Sequence, residues 1–163
     1  MSLRLILMRH AKSDWGAANL RDHERPLNPR GRRDAAAMGD WLRRQGYLPD
    51  QVLCSTATRT RETLDLLALA APVRFEPALY HASPEAMLAA LRQASGGCVL
   101  MLGHNPGIAG LAADLVQDAP DHERFDDYPT CATLVAEVDL GGWAGVRAGS
   151  GHVLDFTIPA DLR

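Results

Sequence analysis

Three short apolar runs, Leu3–Met8, Val52–Cys54 and Cys98–Leu102, each end in a polar cluster, and stretches of helical periodicity separate them. Runs this short and this apolar read as strands buried on both faces. Strands that alternate with helices build a parallel sheet with helices packed on both sides. The expected fold class is therefore α/β: a three-layer α/β/α sandwich with a mostly parallel central sheet. At 163 residues the chain fits one domain spanning 1–163, and no linker or repeat divides it.

Local signals fill in the order of elements. Residues 11–27 are polar and irregular and read as a long loop. Asn28-Pro29 is an N-cap followed by proline at the first helical position, and Gly46 is a stop signal. Between them Ala36, Met38, Gly39, Trp41 and Leu42 supply an apolar face. A second helix follows Ser55 and carries Thr63, Leu64, Leu66 and Leu67; Pro72–Phe75 is a further short strand. Ser83-Pro84-Glu85 repeats the cap-plus-proline signal for a helix through Leu91, and another helix follows Gly107 as far as Val116. An acidic loop over 117–130 precedes two strands, about 131–139 and 152–158, around a glycine-rich turn.

Composition excludes several functions. The chain is 47% apolar and 23% charged, as a soluble globular protein is. No apolar run approaches the roughly 18 residues that a membrane span needs. The first run is too short for a signal-peptide core and ends in Arg9-His10, so the expected location is cytoplasmic. A net charge of −3 argues against nucleic acid as a partner. Of the 17 cationic residues 16 are arginine, with Lys12 the single lysine, and arginine suits bidentate phosphate contacts. Cys54, Cys98 and Cys131 form no CxxC and no zinc spacing, and read as buried thiols in a reducing compartment. No Asp/His cluster calls for a metal, so no metal or other cofactor is expected.

Ligands of open α/β sheets sit beyond the carboxyl ends of the strands. Arg9-His10, Ser55 to Arg59 and Gly103-His104-Asn105 would all emerge on that one edge. Taken singly, each has a plain structural explanation: a strand-end polar group, a surface cation, a turn. Together they place two guanidiniums and two imidazoles around one point. Guanidinium forks match the oxygens of a dianionic tetrahedral ligand. A neutral imidazole beside it can attack phosphorus. The second imidazole, and the N–H groups of a helix beginning just after it, can stabilise the charge spread over the transferring oxygens. The chemistry expected is phosphoryl transfer through a phosphohistidine.

The same residues carry a resemblance. Leu7-Met8-Arg9-His10-Ala11, followed by Lys12-Ser13-Asp14-Trp15, resembles the signature of the histidine phosphatase superfamily, where Arg-His-Gly is usual. Ser55, Arg59 and Thr63, spaced four apart, resemble its second block, and Gly103-His104-Asn105-Pro106 its third. Arg25-Pro26-Leu27 with Gly31, and Leu79-Tyr80-His81-Ala82, are similar to segments of the SixA-type phosphohistidine phosphatases. The likeness runs over nearly the whole chain. It implies a phosphoglycerate mutase-like fold and a metal-independent phosphohydrolase. His10 would be its nucleophile. Arg9, Arg59 (rather than Arg61) and His104 would bind the phosphoryl group, with Arg25 as a further phosphate contact.

Departures from the family pattern point to the substrate. Ala11 replaces the usual Gly and disfavours a positive φ. Gly16 stands where mutase-like members tend to carry Asn. Those members also place a Glu two residues after a Leu, as proton donor to an alkoxide; here that register reads Leu79-Tyr80-His81. Ester cleavage gains about two to four orders of magnitude from such an acid, whereas a phosphorylated imidazole has a better leaving group. A protein phosphohistidine phosphatase is therefore expected, with His81 or Glu85 as candidate proton sources. The chain has little left over to build a lid, which suits a phosphorylated side chain on another protein. A phosphatase of small phosphate esters and a non-catalytic phosphoprotein-binding module are the alternatives. Inorganic phosphate is the expected product. The stretch Asp118 to Asp127 reads as a solvated loop, or as one that shapes the approach. Trp15 and Trp143 are placed at the rim, Trp41 in the core, and His23, His122 and His152 outside the chemistry.

Overall fold

The computed structural model describes residues 2–16 and 18–163; Ala17, part of the expected loop, lies outside them. The chain runs β1 (Leu3–Arg9), α1 (Pro29–Gln45), β2 (Gln51–Ser55), α2 (Thr58–Leu67) and β3 (Val73–Glu76), then α3 (Pro84–Leu91), β4 (Cys98–Gly103), α4 (Gly107–Leu115), β5 (Thr133–Val138) and β6 (Gly151–Thr157). The sheet order is β3-β2-β4-β1-β5-β6. β1 pairs in parallel with β4, and β2 with both β3 and β4. β5 is antiparallel to its neighbours β1 and β6, so it alone runs against the rest. The mostly parallel sheet expected from the apolar runs is present.

The cap signals act as read. The Asn28 side chain accepts from the Gly31 N–H at 2.8 Å, and Gly46 ends α1 at φ +74°. Ser83 accepts from the Ala86 N–H at 3.1 Å to start α3. Strand alternation then divides the core in two. Leu5 and Leu7 face α3 and α4 through Met87, Leu91, Ile108 and Leu111. Ile6 and Met8 face α1 and α2 through Met38, Leu42, Leu64 and Leu67. Full burial of each such side chain contributes about 1.5–3 kcal/mol. Both faces of the sheet are thus covered, and the layers number three.

Some placements differ from expectation. Ala36 is exposed, and Ala35, one position earlier, is the alanine of the α1 core face. Cys98 is only partly buried. Trp143 is buried, and its indole N–H donates to the Gly96 carbonyl at 2.8 Å, just before β4 begins. That is the end of the sheet away from the polar clusters, so Trp143 is no part of a rim there. No helix among the described residues is long and apolar enough to cross a membrane.

Two glycines allow the close contacts that shape the functional edge. A Cβ on Gly31 would meet the Lys12 carbonyl oxygen at 2.0 Å, and one on Gly107 would meet that of Ala82 at 2.0 Å. The first contact holds the segment after β1 against α1. The second holds the loop before α3 against the start of α4.

Candidate active site

Strand register sets the site. Arg9 pairs with Gly103 and Cys54 with Leu102. Arg9, Ser55 and Gly103 therefore share one level at the carboxyl ends, and His10 and His104 lie at the next. The two rings are 5.3 Å apart, centroid to centroid. The main chain of His10 is held on both sides: its N–H donates to Gly103 at 3.1 Å, and its carbonyl accepts from Cys131 at 2.9 Å.

The tautomer of His10 follows from its partner. Its Nδ1 lies 2.7 Å from the Ala11 carbonyl oxygen, which can only accept. Nδ1 therefore carries the proton, and Nε2 keeps a free lone pair. Burial drives the pKa of His10 well below its usual value, and the neighbouring His104, Arg9 and Arg59 add to that, against the bond to Ala11. The ring is a neutral nucleophile. Ala11 is held in turn: its N–H donates to Thr63 Oγ1 at 3.0 Å, and Thr63 donates to the Arg59 carbonyl at 2.7 Å. Ala11 is not among the residues with positive φ, so it replaces glycine without strain.

Three guanidiniums converge here. Arg59 is buried and donates from Nη1 to the Asp22 carbonyl at 2.8 Å and from Nη2 to its carboxylate at 3.1 Å. Arg25 is also buried, donating to Asp22 Oδ1 at 2.6 Å, to the Asp14 carbonyl at 3.2 Å and to Ser13 Oγ. Its guanidinium lies 3.3 Å above the exposed Trp15 ring. Arg9 donates from Nη1 to the Tyr128 carbonyl at 3.2 Å, and its Nε has no partner among the described residues. Asp22 accepts a further bond from Tyr80 O–H at 2.5 Å. That bond, with Arg59 and Arg25 and against the cost of burial, pulls its pKa down to about 2.

The loop after β1 returns to the site because its neck is closed. Ser13 bridges Leu27, the Asp14 N–H donates to Pro26 at 2.8 Å, and the Asn28 N–H donates to Lys12 at 3.0 Å. Arg25 is thereby brought beside Ser13. On the opposite wall His104 Nε2 is 2.7 Å from Ser55 Oγ. Burial first, then Arg59 and His81, lower the pKa of His104 to about 3. His81 holds φ at +59° and its ring lies 3.9 Å from that of Tyr80.

All six residues expected from the sequence line one cavity of about 250 Å³: Arg9, His10, Arg25, Arg59, His81 and His104. Trp15 stands at its edge, as placed from the sequence, and among the described residues Asp22 is the only carboxylate in its lining. A larger, mostly apolar cavity of about 390 Å³ opens beside it and shares His81, His104 and Asn105. Glu85 is exposed and lines neither cavity. Arg61 lies over the Phe75 ring at 4.3 Å, outside the cavity lining, consistent with Arg59 as the inward-facing cation. His23 bonds Thr56, and His122 bonds Asp161.

Sequence reading gave Asp22, Tyr80 and Ser55 no role of their own, although it set Ser55 at the functional edge; the structure brings all three into the hydrogen-bond network around the cavity. Asp22 looked like any other acid of a polar loop. Three residues before Arg25, it was close enough to pair with it, and that spacing was the only signal. The acidic segment is also more than a solvated loop. Phe125 and Tyr128 are buried, and the Tyr128 hydroxyl donates to the Leu7 carbonyl and accepts from the Leu134 N–H at 3.0 Å. Among the described residues no group of three or more His, Cys, Asp or Glu side chains is arranged to hold a metal ion.

Such a site can bind a tetrahedral dianion through guanidinium forks and attack it with a neutral imidazole. The chain is similar to several known proteins. Residues 5–83 match the histidine phosphatase superfamily (branch 1). An uncharacterized protein of Mycobacterium tuberculosis is 38% identical over 159 residues, 93% of this chain and 99% of that one. A protein from Nakamurella multipartitia assigned as the phosphohistidine phosphatase SixA is 33% identical over 98% of this chain and 97% of its own, with a TM-score of 0.83. One from Agrobacterium tumefaciens with the same assignment is 29% identical over 96% and 98%, with a TM-score of 0.79.

Proposed function

The chain belongs to the histidine phosphatase superfamily, and from that premise we propose that it is a protein phosphohistidine phosphatase that works without a metal. In the first step His10 Nε2 attacks phosphorus in line as the bond to the substrate imidazole breaks. Arg9, Arg25 and Arg59 hold the transferring oxygens, and His104 supports them from the opposite wall. The substrate imidazole leaves as a neutral ring once it has gained a proton. Water then attacks the phosphorus on His10, releasing inorganic phosphate and restoring the free ring. His81, which also lines the cavity, supplies that proton in this reading.

The observation that carries this reading is the state of Asp22, the one carboxylate among the described residues that line the cavity. Asp22, at a pKa of about 2, is ionised at neutral pH and has no proton to give. An alkoxide leaving group needs an acid worth about two to four orders of magnitude. A phosphorylated imidazole needs less, because its leaving nitrogen is far less basic. Similarity to the SixA proteins supports the same class.

The test is phosphate release from a histidine-phosphorylated protein, a phosphoserine peptide and p-nitrophenyl phosphate, with chelator present and His10→Ala as control. Preference for phosphohistidine, lost in the variant, is the expected result. Preference for esters overturns the proposal and points to a small-molecule phosphatase. Full activity of His10→Ala removes the nucleophile. Loss of activity in chelator removes the metal independence.

A further inference from the structure

We propose that Ser55 is a positioning residue that holds His104 in its Nδ1–H tautomer, so that the ring meets a transferring phosphoryl group as a hydrogen-bond donor. The proposal rests on the phosphatase reading for its chemistry, but its structural content stands apart from which phosphorylated substrate is used.

The argument is an accounting of one hydroxyl proton. Ser55 is wholly buried at the end of β2, and its Oγ lies 2.7 Å from His104 Nε2. A serine hydroxyl has one hydrogen and two acceptor lone pairs. The Ala57 N–H already donates to this oxygen, at 3.4 Å. Among the hydrogen bonds of the described residues, the only acceptor for the hydroxyl hydrogen is His104 Nε2. Were Nε2 protonated instead, Ser55 Oγ would receive two donors and its own hydrogen would be stranded in the core. Either tautomer leaves one buried donor without a partner among the described residues, the Ser55 hydroxyl or the His104 Nδ1–H. Only the second belongs to a ring that lines the cavity, where an arriving acceptor can meet it, so the bond runs from Ser55 to Nε2.

The ring proton then falls to the other nitrogen. His104 is neutral at ordinary pH, with its pKa lowered by burial to about 3, so its one proton must be on Nδ1 when Nε2 accepts. Nδ1 is buried and has no partner among the described residues, while the ring lines the cavity beside His10. Phosphoryl oxygens are acceptors. An N–H at that atom gains its partner when they arrive, whereas a lone pair there would repel them. Donors aimed at developing oxygen charge assist the transition state more than the ground state. Ser55 thus acts on the reaction through His104, without touching substrate.

The decisive measurement is the ¹⁵N–¹H long-range NMR correlation of His104 in the free enzyme at pH 7.5, for wild type, Ser55→Ala and Ser55→Thr. Wild type is expected to show Nδ1 protonated and Nε2 unprotonated. Ser55→Ala should shift population toward Nε2–H, and Ser55→Thr, which keeps a hydroxyl, should restore the wild-type pattern. On a histidine-phosphorylated protein, Ser55→Ala should lower kcat by about tenfold to a hundredfold with a much smaller change in KM. A wild-type ring protonated on Nε2 overturns the proposal, and so does a Ser55→Ala ring with unchanged tautomer. If Ser55→Ala does not fold, the wild-type spectrum still decides. Failure to turn over phosphohistidine would sink the substrate assignment and leave the tautomer result untouched.

Discussion

Arg59 grips Asp22 at two points, its carbonyl oxygen at 2.8 Å and its carboxylate at 3.1 Å. The same carboxylate takes Arg25 at 2.6 Å and Tyr80 at 2.5 Å. One acid therefore orients two of the three guanidiniums and offsets part of their charge. Its replacement separates these effects. Asp22→Asn should lower kcat by about tenfold to a hundredfold, because the guanidiniums lose their fixed direction. It should also tighten inhibition by inorganic phosphate about threefold or more, because a negative charge beside the anion is gone. Weaker phosphate inhibition would mean that Asp22 serves orientation alone.

Arg59 and Arg61 are separated by one position and face different surroundings. Arg59→Ala removes a donor from the cavity and frees Asp22, and should cost about a hundredfold or more in kcat/KM. Arg61→Ala removes a cation lying over Phe75 and should stay near wild type. Steady-state kinetics on a histidine-phosphorylated protein compares them. The reverse order would contradict the placement of α2.

Tyr128 bridges the ladder between β1 and β5, where Leu7 pairs with Leu134. Tyr128→Phe leaves a carbonyl and an N–H without their partner in the core. The expected loss is about 1–3 kcal/mol, read from denaturant midpoints. A neutral result would show that strand pairing closes without the hydroxyl.

Acid should weaken the fold through the active-site rings. His10 and His104 both have folded pKa values below the 6.5 of the unfolded chain. As pH falls below about 6.5 the unfolded chain takes up protons that the folded rings refuse. Stability is therefore full above that pH and declines as pH falls below it, for His104 as far as about pH 3. Asp22, depressed from 3.8 to about 2, contributes stability that is lost only at lower pH and leaves the window from 6.5 to 5 alone. Unfolding midpoints at pH 7.5 and 5.5 should diverge in wild type and diverge less in His104→Gln. An equal spread in both would refute the assignment.

Much of the architecture was legible because it rests on neighbours in sequence. The caps at Asn28 and Ser83 bond residues three positions on. The strands β1, β2 and β4 follow from apolar runs that must be buried on both faces, and their carboxyl ends bring Arg9, His10, Arg59 and His104 to one edge, whereas the pairing of β1 with β4 and of β4 with β2 was set only in the assembled sheet. The slip at Ala36 has a local cause: α1 carries alanine at three successive positions, 35 to 37, and periodicity alone did not choose among them. Trp143 was misplaced because a turn residue carries no periodicity that tells which end of the sheet it covers.

The sequence by itself therefore determined the layers, the order of elements and the four residues at the strand ends, since propensity, capping and burial act over a few positions. Tertiary structure decided how those residues are charged and aimed. His10 is neutral because its burial at the strand ends disfavours the charged ring, and its free nitrogen is Nε2 because Nδ1 faces the Ala11 carbonyl. Asp22 finds Tyr80 across 58 residues of chain, and Ser55 finds His104 across 49. Contacts of that separation exist only once the sheet has assembled and the loop neck has closed, and no local pattern encodes them.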